Sequence, residues 1–128
     1  MGRVALRYWL PLCAYCGAIF VLSSQPAGRV ALELFPHADK LFHVVQYALL
    51  GALSLRALGP GLPGLLGRTE AVAAALLFCL AYGALDEVHQ SYVPGREMDF
   101  LDLAADMLGA ALAAVAYGRL RMDPRATI

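Results

Sequence analysis

No charged side chain occurs over residues 8–28, a stretch that is apolar almost throughout. A helix that crosses the hydrocarbon core of a bilayer needs about 20 mostly apolar residues, so this stretch can span a membrane by itself. Three further charge-poor apolar stretches follow at 41–55, 71–85 and 107–118. Only 16% of the 128 residues are charged, whereas a soluble domain has about a quarter. This pattern favours a chain whose solvent is partly lipid.

Turn-forming residues separate the apolar stretches. Ser23-Ser24-Gln25-Pro26 ends the first, a Gly- and Pro-rich segment at 58–64 follows the second, and Pro94-Gly95 follows the third. The predicted fold is all-α, a polytopic membrane four-helix bundle that forms a single domain over residues 1–128. Its helices are expected near 7–24, 40–58, 70–91 and 99–118. A soluble four-helix protein with Ala-rich cores is the alternative; we favour the membrane because the helices are apolar on most faces.

The distribution of Lys and Arg predicts the orientation of the bundle. The side that contains both termini and the middle loop carries seven basic residues: Arg3, Arg7, Arg56, Arg68, Arg119, Arg121 and Arg125. The other side carries three: Arg29, Lys40 and Arg96. The excess predicts that both termini are cytoplasmic. Arg3 and Arg7 also fit the start of a signal peptide, but residues 25–27 make a poor cleavage site, so we expect a retained helix.

Polar side chains recur at helical spacing in the three segments that this orientation places at the outer end. On the second helix, residues 39, 43 and 46 share a face, and on the fourth, residues 99, 102 and 106 line up. The third helix ends in a stripe of residues 82, 86, 89 and 90, with Glu87 off to its side. The predicted binding pocket comprises Asp39, Lys40, His43, Gln46, Tyr47, Tyr82, Asp86, Glu87, His89, Gln90, Arg96, Asp99, Asp102 and Asp106.

The six carboxylates of this pocket and the neighbouring Glu97 make seven, and they face only two fixed positive charges, those of Lys40 and Arg96. Charged groups at membrane depth are costly unless they are paired, protonated, wet or bound to a cation. The alternative is that the groups pair with one another and only lock the helix ends together. His43 and His89 add imidazoles, yet no compact HxxH or HExxH spacing is present, so the pattern identifies no metal and no cofactor. The net charge of zero leaves no global basic surface for nucleic acid.

These residues resemble the VanZ-like family of small bacterial membrane proteins. The resemblance rests on Leu22-Ser23-Ser24-Gln25-Pro26, on Asp39-Lys40-Leu41-Phe42-His43 followed by Tyr47, on Asp86-Glu87-Val88-His89-Gln90, on Val93-Pro94-Gly95-Arg96, and on Asp102 leading to Gly109-Ala110. It covers about residues 7–118, and its most specific part runs from Asp86 to Arg96. This chain has Asp106 where the family often has Asn. The resemblance implies a multi-pass protein of the bacterial inner membrane and a link to glycopeptide (teicoplanin-type) antibiotic resistance.

Several functions fit the sequence. The first is a non-catalytic membrane protein that binds a cell-envelope component, or a cationic group, at the outer pocket. The second is a membrane-embedded enzyme for a lipid-linked or polyisoprenoid substrate, with Asp86 or Glu87 as general base, His43 or His89 moving the proton and Arg96 holding a phosphate. A permease, which would need to form an oligomer, and a purely structural polar lock are the remaining hypotheses. We favour the first.

Overall fold

The structure, a computed structural model, describes residues 2–26 and 35–122, with side chains as far as Leu120. Within these ranges it is all-helical and has no strand. Its four helices are α1 (Gly2–Ser23), α2 (Ala38–Leu58), α3 (Arg68–Gln90) and α4 (Phe100–Met122). Each is long and apolar enough to cross a membrane. The predicted all-α, four-helix membrane fold is confirmed.

The observed helices extend beyond the apolar stretches at two ends of the chain. α1 begins at Gly2 rather than near residue 7, and α4 continues to Met122 rather than ending near 118. A charged side chain near the end of a span does not end the helix. It marks where the surroundings change from lipid to water, and the backbone can remain helical beyond that point. The turn Ala5–Trp9 is π-helical and precedes Pro11, which cannot donate a backbone hydrogen bond. Of the basic residues counted above, Arg29, Arg125 and the side chain of Arg121 lie outside the described residues.

The four helices run alternately up and down. Ser24, just after α1, places Oγ 3.0 Å from Nε2 of His89 near the end of α3. At the same end, Lys40 near the start of α2 contacts Asp99, which precedes α4. At the opposite end, Arg68 of α3 donates to the backbone oxygen of Gly118 on α4 at 2.8 Å. We call the end that contains Ser24, Lys40 and Asp99 the polar end.

Helices α2 and α4 pack through glycines. A Cβ atom added at Gly109 would lie 2.1 Å from the backbone oxygen of Val44 and 2.8 Å from the backbone nitrogen of Ala48. A Cβ at Gly51 would lie 3.1 Å from Cα of Ala110. Small residues at such positions let two membrane helices approach closely. This contact fixes the register of α2 against α4.

The distribution of polarity is the reverse of that in a soluble protein. The buried side chains include His43, Asp86, Glu87 and Asp106. Many large apolar side chains on the helices are exposed instead, for example Val45, Leu77, Leu85, Leu101 and Leu108. Such a surface is stable against lipid rather than water, and buried ionisable groups in membrane helices usually face the bundle interior. The exposed apolar surface and the four spans are those of a multi-pass membrane protein.

Candidate functional site

Three ionisable side chains from three helices meet beneath the polar end. His43 of α2 places Nδ1 2.8 Å from Oδ1 of Asp106 on α4. Glu87 of α3 completes the group, since one potential ligand atom from each residue lies within 4.8 Å of the others. All three residues are buried, and the exposed fractions of Glu87 and Asp106 are only 2% and 0%. We call His43, Glu87 and Asp106 the inner cluster.

Several buried oxygens in this region have no hydrogen-bond partner among the described residues: Oε1 of Glu87, Oδ2 of Asp106 and the hydroxyl of Tyr47. A buried polar atom without a partner costs about 1–3 kcal/mol, and more when it is charged. Gly83 of α3 lies next to them. A Cβ there would be 3.1 Å from Oδ2 of Asp106 and 3.3 Å from Cε1 of Tyr47. Gly83 therefore leaves room beside an unpartnered carboxylate oxygen.

Lys40 lies between the inner cluster and the outer rim. Its ammonium group binds Oδ2 of Asp99 at 2.6 Å, Oδ2 of Asp39 at 3.2 Å, and Oδ1 of Asp102. Asp102 also faces the inner cluster, with Oδ2 3.7 Å from Nε2 of His43. The hydrogen bond from Lys40 holds the pKa of the Asp99 carboxyl below its usual value. The Lys40 ammonium is thus occupied by three carboxylates of its own chain.

Asp99 connects this outer ion pair to Glu87. It precedes α4, and its Oδ1 accepts a hydrogen bond from the backbone nitrogen of Leu101 at 2.8 Å, which caps the helix. Its own backbone nitrogen donates to Oε2 of Glu87 at 2.8 Å. One oxygen of Glu87 is therefore satisfied by the start of α4, while the other remains free in the inner cluster.

Arg96 lies apart from the inner cluster and is held by other polar groups. Its Nε donates to the backbone oxygen of Gln25 at 2.9 Å, and its Nη1 lies 3.3 Å from Oε1 of Gln90. Gln90 in turn donates through Nε2 to Oδ2 of Asp86 at 3.1 Å. These contacts tie the turn between α3 and α4 to the end of α1. They also place the buried Asp86 in a network with Arg96.

The side chains of the predicted polar stripe on α3 do not all face the same neighbouring helices. His89 stacks on Phe20 of α1, with ring centroids 4.7 Å apart, and does not join His43. Tyr82 donates to the backbone oxygen of Cys16 on α1 at 2.6 Å. Glu87, which the spacing placed to the side of the stripe, is instead the α3 member of the inner cluster. A helix has several faces, and spacing alone does not say which of them meets α2 and α4.

The remaining predicted pocket residues lie at the edges of the site. Asp39 is at the rim, where its side chain is 62% exposed. Gln46 is buried on α2, and its backbone oxygen accepts a hydrogen bond from the Tyr15 hydroxyl at 3.0 Å. Three further residues lie beside the polar groups: Ser24 and Gln25, which the sequence marked only as a turn and as part of the family resemblance, and Gly83, which it did not mark. Its position one helical turn before Glu87 was the sequence signal that could have identified Gly83.

The chemistry of the inner cluster is that of an imidazole beside two carboxylates. With the proton on Nδ1, His43 donates to Asp106 and leaves a lone pair on Nε2. Oxygen and imidazole nitrogen atoms that point into one buried space can hold a proton or a metal ion. The Lys40 ammonium is committed to carboxylates, whereas the Arg96 guanidinium binds neutral acceptors through Nε and Nη1 and lies apart from the inner cluster.

A family model described as VanZ/LLP1 matches residues 8–121. That range includes the transmembrane segments α2 and α3, most of α4, and every residue of the polar end described above. No curated protein and no solved structure matches the chain.

Proposed function

The chain belongs to the VanZ/LLP1 family, and from this premise we propose that it binds a cell-envelope component, or a cationic group, at its polar end. In this proposal it is a multi-pass protein of the bacterial inner membrane with cytoplasmic termini, so the polar end faces outwards. The observation that carries the proposal is the pair of buried, unpartnered carboxylate oxygens of Glu87 and Asp106.

The charges at the polar end support a cationic ligand. Lys40 is matched by Asp39, Asp99 and Asp102, and no Lys or Arg side chain in the described part of the chain forms an ion pair with Glu87 or Asp106. Carboxylates in a buried, membrane-facing site attract a cation because water is not there to solvate them. An anionic ligand such as a phosphate would have to displace carboxylate partners of Lys40, and Arg96 lies apart from the inner cluster.

An acid–base enzyme for a lipid-linked substrate is the second candidate. The observation that favours it is the His43–Asp106 pair, because a carboxylate that orients an imidazole is a common arrangement for proton transfer. In this version, His43 moves the proton and Glu87 is the nearby base. Arg96 and His89 have no catalytic role in this version, since Arg96 binds Gln25 and His89 packs against Phe20.

The proposal is tested by teicoplanin susceptibility in a sensitive bacterium that expresses the chain. We expect the wild type to raise the inhibitory concentration, and Glu87→Gln and Asp106→Asn to abolish the increase at equal membrane abundance. Asp39→Asn is the matched control, because it also removes one carboxylate charge but at the exposed rim. A wild-type effect that survives both inner-cluster substitutions would refute binding at this site. Turnover of a lipid-phosphate substrate by purified protein, lost in His43→Gln, would favour the enzyme.

A further inference from the structure

We propose that the inner cluster is a binding site for one divalent transition-metal ion, of which Zn²⁺ is the best match. This inference deepens the proposed function and rests on it, because it names a metal ion as the cation that Glu87 and Asp106 receive. The ligands are His43 of α2, Glu87 of α3 and Asp106 of α4, which offer ligand atoms within 4.8 Å of one another. Each comes from a different helix, so an ion bound by all three would join them.

The free lone pairs are the first argument. Oε1 of Glu87 and Oδ2 of Asp106 are buried, and neither receives a hydrogen bond from residues 2–26 or 35–120. Nδ1 is the ring nitrogen of His43 that faces Asp106, 2.8 Å from Oδ1, whereas Nε2 faces Oδ2 of Asp102 at 3.7 Å. With the proton on Nε2, the lone pair of Nδ1 is directed at the inner cluster, and Asp102 can orient the ring as carboxylates do for metal-binding histidines. One nitrogen and two oxygens are typical ligands of zinc, and an open coordination position would remain for water or a substrate.

Charge and space are the second argument. Lys40 contacts neither Glu87 nor Asp106, and one divalent ion would balance the charge of both carboxylates in their ionised form. A Cβ atom at Gly83 would lie only 3.1 Å from Oδ2 of Asp106. The absence of a side chain at position 83 therefore keeps this ligand atom uncrowded.

The test uses the full chain in lipid nanodiscs and Zn²⁺ as the probe. Equilibrium dialysis with elemental analysis should find one zinc per wild-type chain. Glu87→Gln and Asp106→Asn should bind zinc at least about tenfold more weakly, since each replaces an anionic ligand with a neutral amide of similar shape. Asp39→Asn should bind zinc as the wild type does. Retained helical circular dichroism verifies that each variant is folded.

A second measurement on the wild type keeps the proposal falsifiable if an inner-cluster variant does not fold. In protein labelled with nitrogen-15 histidine, zinc should shift the imidazole resonances of His43 and leave those of His89 unchanged, because His89 lies against Phe20. Wild-type protein that binds no zinc, or a zinc-dependent shift at His89 instead of His43, overturns the proposal. If zinc is not bound while Glu87→Gln still abolishes teicoplanin protection, the metal site is refuted and the proposed function stands.

Discussion

His43 and Asp106 are 63 positions apart in sequence and pair across the interface of α2 and α4 at 2.8 Å. Gly109, one turn after Asp106, packs against the backbone of Val44, one residue after His43, so that an added Cβ would overlap the Val44 oxygen. The packing of two apolar helices and the geometry of the polar pair are therefore set at the same level of the bundle.

Gly109→Ala should weaken the bundle. The new Cβ would lie 2.1 Å from the backbone oxygen of Val44, and a backbone cannot move aside as a flexible side chain can. We expect the free energy of unfolding in detergent to fall by about 1–3 kcal/mol. Gly17→Ala is the matched control: a Cβ there has nothing within 4 Å, and the change should stay within about 0.5 kcal/mol. Equal effects of the two substitutions would contradict the packing described here.

Substitution of Asp106 should separate the loss of an acceptor from the loss of a charge. Asp106→Ala leaves Nδ1 of His43 without its partner and should lower the free energy of unfolding by about 1–3 kcal/mol. Asp106→Asn keeps an oxygen for His43, so without added metal it should cost clearly less. Denaturant unfolding of both variants in the same detergent measures the difference, and a larger loss in Asp106→Asn would show that His43 does not depend on this acceptor.

The contribution of Asp99 should depend on pH. Its folded-state pKa lies below the usual value because of the hydrogen bond from Lys40. The stabilisation is therefore complete above the pKa of an unfolded Asp, about 3.9, and is lost as the pH falls towards the lower folded-state pKa. Asp99→Asn preserves a helix cap and the backbone donor to Glu87, so it removes mainly the charge.

Thermal midpoints measured against pH test this expectation. Wild type should exceed Asp99→Asn near neutral pH, and the two should converge as the pH falls below about 4. Glu97→Gln, an exposed neighbour, should show no comparable pH-dependent gap. A gap for Asp99→Asn that widens in acid would reverse the sign and contradict the ion pair with Lys40.

The proposed orientation predicts which loops face outwards. Tyr92 is in the turn at the polar end with a side chain 83% exposed, and Leu65 is in the middle loop at the other end with one 70% exposed. In intact cells, an impermeant thiol reagent should label Tyr92→Cys and not Leu65→Cys. The parent chain, with its native cysteines inside the spans, supplies the background signal. Labelling of Leu65→Cys alone would show that the protein has the opposite orientation in the membrane.

Much of the fold could be predicted from the sequence because lipid selects for long, uniformly apolar helices. The four spans and the short connections between them follow from hydropathy and from Pro and Gly. The ends of the helices could not be placed as well: Arg7 and Arg119 mark where the polarity of the surroundings changes, but the backbone remains helical at both. Charge marks the membrane boundary, whereas hydrogen bonding determines where the helix stops.

The rotation of each helix was harder to predict than its extent. On α3, Asp86, Glu87 and His89 are all polar, and each takes a different direction: towards Gln90, towards the inner cluster and towards Phe20. Amphipathicity normally identifies the buried face, but α3 is apolar over most of its surface. Tertiary contacts such as the capping of α4 beside Glu87 decide the choice, and they join residues that are distant in sequence.

The order of synthesis gives the Lys40–Asp99 contact a consequence for biogenesis. Ribosomes deliver Lys40 and His43 with α2, whereas the partners Asp99 of Lys40 and Asp106 of His43 arrive 59 or more positions later. Until α4 inserts, Lys40 has Asp39 beside it but not Asp99 or Asp102, and His43 lacks Asp106. We therefore expect nascent chains truncated before α4 to be poor substrates for stable insertion and to be degraded early.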